Sequence, residues 1–133
     1  MSASKIGTLG GRTTAGAVRA MFGRIDTMDV PGLLDHLAPN VVFQFGSNDP
    51  VTGRERVGEI VTSVFLGLNS ISHEFLDLLE FGDVSVCQLV TTYGLPDGRT
   101  KSLPAAVIVR QRPDGLVADY RIYQDVSPLW ATP

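Results

Sequence analysis

The sequence predicts an α+β domain in which three N-terminal helices pack against a curved antiparallel sheet. Apolar residues recur at helical spacing in the first half of the chain, and four strand-like runs follow Ser70. Short turns rich in Gly, Pro and Asp separate these runs. Such turns indicate antiparallel pairing, because a parallel crossover needs about a dozen residues. The concave face of such a sheet is either covered by the helices or lined as a pocket.

The first two predicted helices are amphipathic. Thr13 or Thr14 caps the first helix, whose apolar face comprises Val18, Met21, Phe22, Ile25 and Met28. Asp29 caps the second helix, and Pro31 is tolerated in its first turn. The apolar face of this second helix comprises Leu33, Leu34 and Leu37. A first strand is then predicted over residues 41–45.

The third predicted helix has the most regular apolar pattern. Thr52 and Glu55 form a capping box, in which each side chain hydrogen-bonds a backbone amide at the start of the helix. Helical spacing then relates the apolar residues Val57, Ile60, Val61, Val64, Phe65 and Leu68. Asn69 is the predicted end of the helix.

The four strand-like runs cover residues 71–81, 84–93, 99–110 and 116–125. Because side chains alternate between the two faces of a strand, His73 is expected to share a face with Phe75, Asp77, Leu79 and Phe81. In the last run one face carries Asp119, Arg121, Tyr123 and Asp125. The opposite face of that run carries Tyr120, Ile122 and Gln124.

Composition restricts the class of protein. The 133 residues fit one domain, and 11 Lys and Arg against 14 Asp and Glu give a net charge of −3, so we expect neither a nucleic-acid nor a membrane partner. The one cysteine, Cys87, excludes an internal disulfide and a Cys-based zinc site. No phosphate-binding or dinucleotide-binding motif is present, so we expect no cofactor. The two histidines are far apart in the sequence and lack a matched carboxylate motif, so we expect no metal.

The domain organisation expected from the sequence is simple. Residues 1–12 are rich in Gly, Ser and Thr and are predicted to form a flexible arm, and residues 13–133 form one domain. That arm has no apolar segment typical of a secretory signal, and no apolar stretch reaches the length of a membrane span. We therefore expect a cytoplasmic protein.

Three stretches of the chain resemble the nuclear transport factor two-like superfamily. They are residues 28–41, residues 53–57 and residues 119–129, of which the last is the most specific. The superfamily includes ketosteroid isomerases, scytalone dehydratase, SnoaL-type polyketide cyclases and limonene epoxide hydrolase. The resemblance implies a cone-shaped fold with a curved, mixed sheet, a functional site inside the cone, and a homodimer that pairs exposed sheet faces. Because its members differ in their site residues, the fold alone does not supply a function.

The last strand carries the first candidate site. Residues 120–125 resemble the last strand of limonene epoxide hydrolase, whose final Asp is a catalytic acid/base, and this implicates Asp125. Tyr123 then polarises an oxygen, and Arg121 holds the carboxylate ionised or binds an anionic group. The alternative is structural: Asp125 caps the strand end or pairs with Arg121. Residues 89–93 lack the charged residues that complete the epoxide hydrolase triad, and residues 42–45 lack the base of ketosteroid isomerases.

The second candidate site is centred on His73. Its strand resembles the His-bearing strand of SnoaL-like and scytalone dehydratase-like members, in which a pocket His does acid/base work. The alternative is a surface His beside Glu74. Tyr93 and Tyr123 are expected to place phenols in the same cavity, where phenols donate hydrogen bonds to a developing oxyanion. Phe43 and Phe45 are predicted to contact the substrate.

Two functions from different classes follow. The first is a cofactor-independent acid/base enzyme, an isomerase, cyclase, dehydratase or hydrolase, acting on a small apolar substrate. Its catalytic residues are Asp125, His73 and Tyr123, and Arg121 and Tyr93 orient the substrate. The second is a non-catalytic module of the same fold that binds a small apolar ligand or dimerises. Whether the chain is an enzyme stays open at this point.

Overall fold

The computed structural model describes residues 5–9 and 15–130 of the chain. Its three α-helices are α1 (Ala15–Asp26), α2 (Val30–Leu34) and α3 (Arg54–Leu66), and a 3₁₀ helix covers Ser127–Trp130. Its strands are β1 (Lys5–Leu9), β2 (Leu37–Phe45), β3 (Val51–Thr52), β4 (Ser70–Phe81), β5 (Val84–Gly94), β6 (Thr100–Gln111) and β7 (Val117–Tyr123). No helix within these described ranges has the length and apolar character needed to cross a membrane.

The strands form one mixed, open sheet in the order β1-β4-β5-β6-β7-β2-β3. The consecutive strands β4 to β7 form the predicted antiparallel meander, whereas β1 lies parallel to β4 and β2 lies parallel to β7. Helices α1 and α3 pack against strands β4 and β2. The sheet is curved, and the predicted α+β class is confirmed.

Two element boundaries differ from the sequence prediction. Leu37 was assigned to the second helix, but that helix ends at Leu34 and Leu37 begins β2, where it pairs with Val117. The predicted capping box is also wrong, because the N-cap of α3 is Gly53 and no side chain caps it. Thr52 instead belongs to β3 and pairs with Val42.

The predicted arm over residues 1–12 contains a strand that the sequence did not predict. Lys5–Leu9 forms β1, which pairs in parallel with β4 from Asp77 to Phe81. Residues 1–4 and 10–14 lie outside the described residues, and so does the predicted cap at Thr13 or Thr14. The separation of the chain into a flexible arm and a domain over residues 13–133 stays a proposal.

Helix α1 ends in a hydrogen-bonded cap that holds its last turn. The N–H of Met28 donates to the carbonyl of Ile25 and the N–H of Asp29 donates to the carbonyl of Arg24, both at 2.9 Å. Met28 adopts the left-handed conformation with φ of 55°, which such caps require at this position. The cap thus closes the turn that contains Asp26, the last residue of α1.

A β-bulge changes which face of β4 points to the core. Ile71 and Phe75 are buried on the concave face, but the pairing of β4 with β5 shifts between Phe75 and Asp77. After the shift, Leu78 and Glu80 are the fully buried residues. The expected common face of His73 with Asp77, Leu79 and Phe81 is therefore wrong, because one extra residue reverses the alternation.

Candidate functional site: an apolar cavity with an Asp–His pair

The concave face of the sheet, helices α1 and α3 and the 3₁₀ helix enclose a cavity of about 390 Å³. This volume lies in the range of small-molecule pockets. Most lining residues are apolar, and they include the predicted Phe43 and Phe45. The polar lining residues among those described are Asn48, Ser63, His73, Thr91, Tyr93, Tyr120 and Gln124. The described lining contains no Arg, Lys, Asp or Glu, so an anionic ligand would find no countercharge there.

His73 is held in the cavity wall by Asp26. The ring Nδ1 of His73 lies 2.5 Å from Oδ1 of Asp26, and the backbone N–H of His73 donates to Oδ2 at 3.2 Å. Because an ionised carboxylate only accepts hydrogen bonds, Nδ1 carries the proton and donates it. The imidazole Nε2 is then an acceptor, and it has no hydrogen-bond partner among the described residues.

The environment of this pair is unequal on its two sides. The His73 side chain is 8% exposed, whereas that of Asp26 is 31% exposed. Phe22 packs edge-on against the imidazole with ring centroids 4.9 Å apart. The carboxylate thus keeps contact with water, while the imidazole lies against the apolar wall of the cavity.

Asp26 is a residue that the sequence analysis missed as a site residue. It lies four residues after the buried Phe22, so the two side chains share one face of α1. That spacing is the signal that could have identified it. Sequence reasoning placed His73 in the cavity, and the structure puts it there, but 47 residues separate it from its carboxylate partner.

A second polar pair lies in the same wall. The hydroxyl of Tyr93 donates a short hydrogen bond to Oε1 of Gln124, and Nε2 of Gln124 donates to the carbonyl of Leu103 at 3.3 Å. Burial raises the pKa of Tyr93 to about 12, and a side-chain hydrogen bond with Thr91 opposes part of that shift. Tyr93 was predicted as a cavity residue. The sequence did not identify Gln124 and Thr91 as cavity residues, although side-chain alternation already placed Gln124 on the same strand face as Tyr120.

The predicted cluster on the last strand does not face this cavity. Arg121 forms a bidentate pair with Asp119, with Nε 2.8 Å from Oδ1, and its other nitrogen donates to Gln44. Tyr123 is 49% exposed. The expectation that Arg121 and Tyr123 point inward is wrong, because Tyr120 and Ile122, which alternate with them along β7, line the cavity from the opposite face.

Asp125 has the structural role that the sequence analysis held as the alternative. Its Oδ1 accepts the backbone N–H of Ser127 at 2.9 Å, and it is exposed just after the end of β7. Hydrogen bonds from the backbone and side chain of Ser127 hold the pKa of Asp125 below its ordinary value. With Tyr123 it borders a more open depression that adjoins the cavity. The two share the lining residues Phe45, Asn48, Gln124, Val126 and Trp130. The lowered pKa makes this carboxylate a weaker base.

Neither a reactive thiol nor a metal site adds to the chemistry of the described cavity. Cys87 is fully buried, and burial raises the pKa of its thiol to about 12, so it stays protonated and packs in the core as the sequence predicted. Within residues 5–9 and 15–130, no three side chains of His, Cys, Asp or Glu come together as metal ligands would. The two polar pairs, Asp26–His73 and Tyr93–Gln124, are therefore the groups available for chemistry in the described cavity.

The profile of the SnoaL-like domain family matches residues 18–120, more than half of the chain. The chain therefore belongs to the SnoaL-like domain family. This agrees with the resemblance carried by the sequence motifs, and it gives the class of protein. No curated protein shows a significant sequence match to the chain.

Solved structures of the same fold are numerous but distant in sequence. A SnoaL-like polyketide cyclase homologue from a Jannaschia species is 19% identical with a TM-score of 0.79, over 93% of this chain and 99% of that one. A nuclear transport factor two-like protein of unknown function from Burkholderia pseudomallei is 17% identical with a TM-score of 0.79, over 90% and 95% of the two chains. A hypothetical protein with a ketosteroid isomerase-like fold from Catenulispora acidiphila, solved in complex with trimethylamine, is 17% identical with a TM-score of 0.79, over 91% of this chain and 100% of that one. These likenesses show the fold.

Proposed function

We propose that the chain is a cofactor-independent acid/base enzyme that transfers a proton within a small apolar molecule bound in the cavity. The observation that carries the proposal is the hydrogen bond between Asp26 and His73, made in the wall of an otherwise apolar cavity. A carboxylate that fixes the tautomer of a neighbouring imidazole is the arrangement used for general acid/base catalysis.

The chemistry follows from the two ring nitrogens. Nε2 of His73 takes a proton from a C–H or O–H group of the bound molecule, which gives an imidazolium and leaves the electron pair on the substrate. Asp26 stabilises the imidazolium through Nδ1, as the orienting carboxylate does in other His-based sites. The imidazolium then returns the proton to a different atom of the same molecule, or to a departing hydroxyl that leaves as water. The first outcome is an isomerisation or cyclisation, and the second is a dehydration.

A general test needs no knowledge of the natural substrate. β-Tetralone is a small apolar ketone with exchangeable α-hydrogens, and deuterium incorporation from D₂O is followed by NMR. We expect the protein to accelerate exchange and His73→Asn to remove about 100-fold or more of that acceleration, because a positioned base contributes about 10²–10⁴-fold. Asp26→Asn is expected to lower the rate without preventing ligand binding.

The matched control is Asp125→Asn, which changes an exposed carboxylate outside the cavity and preserves its role as acceptor for Ser127. This variant is expected to exchange at the wild-type rate. If the wild type binds β-tetralone but exchanges no faster than free solution, the chain is the non-catalytic ligand-binding module instead. If Asp125→Asn removes the activity and the His73 and Asp26 variants retain it, Asp125 is the acid/base group and the proposal for His73 is wrong.

A further inference from the structure

The direction of one hydrogen bond in the cavity wall can be settled by its neighbours. Gln124 bridges from Tyr93 to the backbone of β6, where its Nε2 lies 3.3 Å from the carbonyl of Leu103 and 3.4 Å from that of Pro104. A backbone carbonyl only accepts hydrogen bonds. The amide nitrogen of Gln124 must therefore face β6, and its oxygen must face Tyr93.

This orientation of Gln124 determines which partner receives the hydroxyl proton of Tyr93. The amide oxygen of Gln124 is an acceptor, so the phenol must donate to it. A hydroxyl has one proton, and after this donation only its two oxygen lone pairs remain. The side-chain hydrogen bond with Thr91 uses one lone pair, which leaves the other for a bound molecule. Tyr93 is 5% exposed and lines the cavity. Toward a bound molecule its oxygen is thus an acceptor, which is the opposite of the oxyanion-donor role that the sequence suggested.

The charge of the cavity restricts the ligand further. The described lining residues include no cationic side chain, and its walls are largely apolar. An anionic oxygen at Tyr93 would lose its hydration without gaining a countercharge, which is costly. A carbonyl or ether oxygen at Tyr93 would place two acceptors against each other. A neutral group with its own proton to donate is the ligand group that fits the remaining lone pair of Tyr93.

We propose that Tyr93 and Gln124 select neutral apolar ligands that carry a hydroxyl group, with the ligand O–H donating to the phenol oxygen of Tyr93. This inference rests on the proposed function, because it assigns the substrate class of the same cavity. Gln124 is a positioning residue in this scheme, since it acts by holding the proton of Tyr93. The preferred substrate of the acid/base pair is accordingly an apolar molecule that carries a hydroxyl group. β-Tetralone, which lacks a hydroxyl group, tests the proton transfer at His73 and not this preference.

The test is a comparison of matched ligands by titration calorimetry with the full chain. β-Naphthol and its methyl ether share the apolar body and differ in the hydroxyl proton. We expect the wild type to bind β-naphthol about tenfold more tightly than the ether, since one buried hydrogen bond separates them. Tyr93→Phe is expected to remove most of this preference. Tyr123→Phe makes the same change at an exposed phenol that does not line the cavity, so it is the matched control and is expected to retain the preference.

Gln124→Met provides the readout that a merely structural role would not give. It removes the acceptor that holds the phenol proton and keeps a side chain of similar length. We expect the freed phenol to donate to the ligand, so that the methyl ether gains affinity and the preference falls to about twofold or reverses. A thermal melt confirms that each variant is folded before it is titrated.

The outcomes separate this inference from the proposed function. Equal affinity of the wild type for the two ligands, or tighter binding of the ether, overturns the hydroxyl selection while the acid/base proposal stands on the exchange assay. Failure of the wild type to bind either ligand overturns the selection as well. A preference for β-naphthol that is lost in Tyr93→Phe supports the selection even if the exchange assay shows no catalysis.

Discussion

Gly32 lies where a side chain would collide with the cap of α2. The backbone N–H of Gly32 donates to Oδ1 of Asp29 at 3.0 Å, and a Cβ at position 32 would lie 2.2 Å from Oδ2 of the same carboxylate. Gly32→Ala must therefore displace the capping side chain. We expect the free energy of unfolding to fall by about 1 kcal/mol, the usual cost of losing such a cap, as measured by urea denaturation.

Gly23→Ala is the matched control for this substitution. Gly23 lies inside α1, and a Cβ there would have no atom within 4 Å. Alanine is favoured over glycine in a helix interior by about 1 kcal/mol, so this variant is expected to be more stable than the wild type. Opposite signs for the two glycines support the cap geometry, and a loss of stability in both variants would contradict it.

At the scale of single residues, the sequence predicted which side chains share a strand face, but not which face points into the cavity. Alternation correctly separated Tyr120 and Gln124 from Arg121 and Tyr123, but it does not say which set points inward. That choice depends on packing across the whole sheet, where Tyr120 contacts Phe43 of β2. The link between Asp26 and His73 likewise needs a helix and a strand to be brought together, and no local pattern encodes that.

The 3₁₀ helix at the C-terminus depends on one carboxylate. Hydrogen bonds from Ser127 lower the pKa of Asp125, so the folded segment favours the ionised form. The contribution of this cap is present above the ordinary pKa of Asp and is lost as the pH falls through the lowered pKa. Trp130 is the one tryptophan of the chain and ends this helix. We expect its fluorescence to titrate below about pH 4.

Asp125→Asn keeps an acceptor for Ser127 but has no proton to take up. We expect this variant to lose the acid transition of Trp130 fluorescence while the spectrum at neutral pH stays that of the wild type. An unchanged acid transition in the variant would show that a different carboxylate is responsible. The neighbouring candidates are few, since Asp125 is the one acidic residue in the described stretch from Arg121 to Trp130.

At the scale of elements, the sequence predicted the type and order of the major helices and strands. Periodicity is sufficient there, because each long element buries one face. The wrong predictions lie where strand pairing overrides the local preference of a residue for a helix or a helix cap. Thr52 enters a two-residue strand instead of capping α3, and Leu37 starts β2 instead of ending a helix. The bulge in β4 and the strand β1 are likewise products of the sheet and have no local sequence signal.

At the scale of the whole molecule, the outer face of the sheet carries apolar side chains that no described helix covers. Its centre is lined by the outward residues Val90, Pro104, Ala106, Ile108 and Tyr123. We propose that a second copy of the chain covers it, as the family resemblance implies. We expect a dimeric mass by analytical ultracentrifugation, and a monomeric mass for Ala106→Arg, because a charge at the centre of the face would be buried without a partner.

Leu66→Arg is the control for the dimer prediction. Leu66 is 84% exposed at the end of α3, away from the sheet, so the same charge there is expected to leave the mass unchanged. A monomeric wild type would refute the dimer. Loss of the dimer in both variants would move the interface to the helical side of the molecule.

The pairing of Asp26 with His73 joins the two layers of the molecule, because one partner belongs to a helix and the other to the sheet. The acid/base group therefore exists only while α1 is seated on β4. A partial detachment of that helix would separate the two side chains by more than hydrogen-bond distance before the meander of β4 to β7 came apart. We therefore expect the proposed proton-exchange activity to be lost on heating before the far-UV circular dichroism of the sheet changes. Loss of both signals at one temperature would contradict this order.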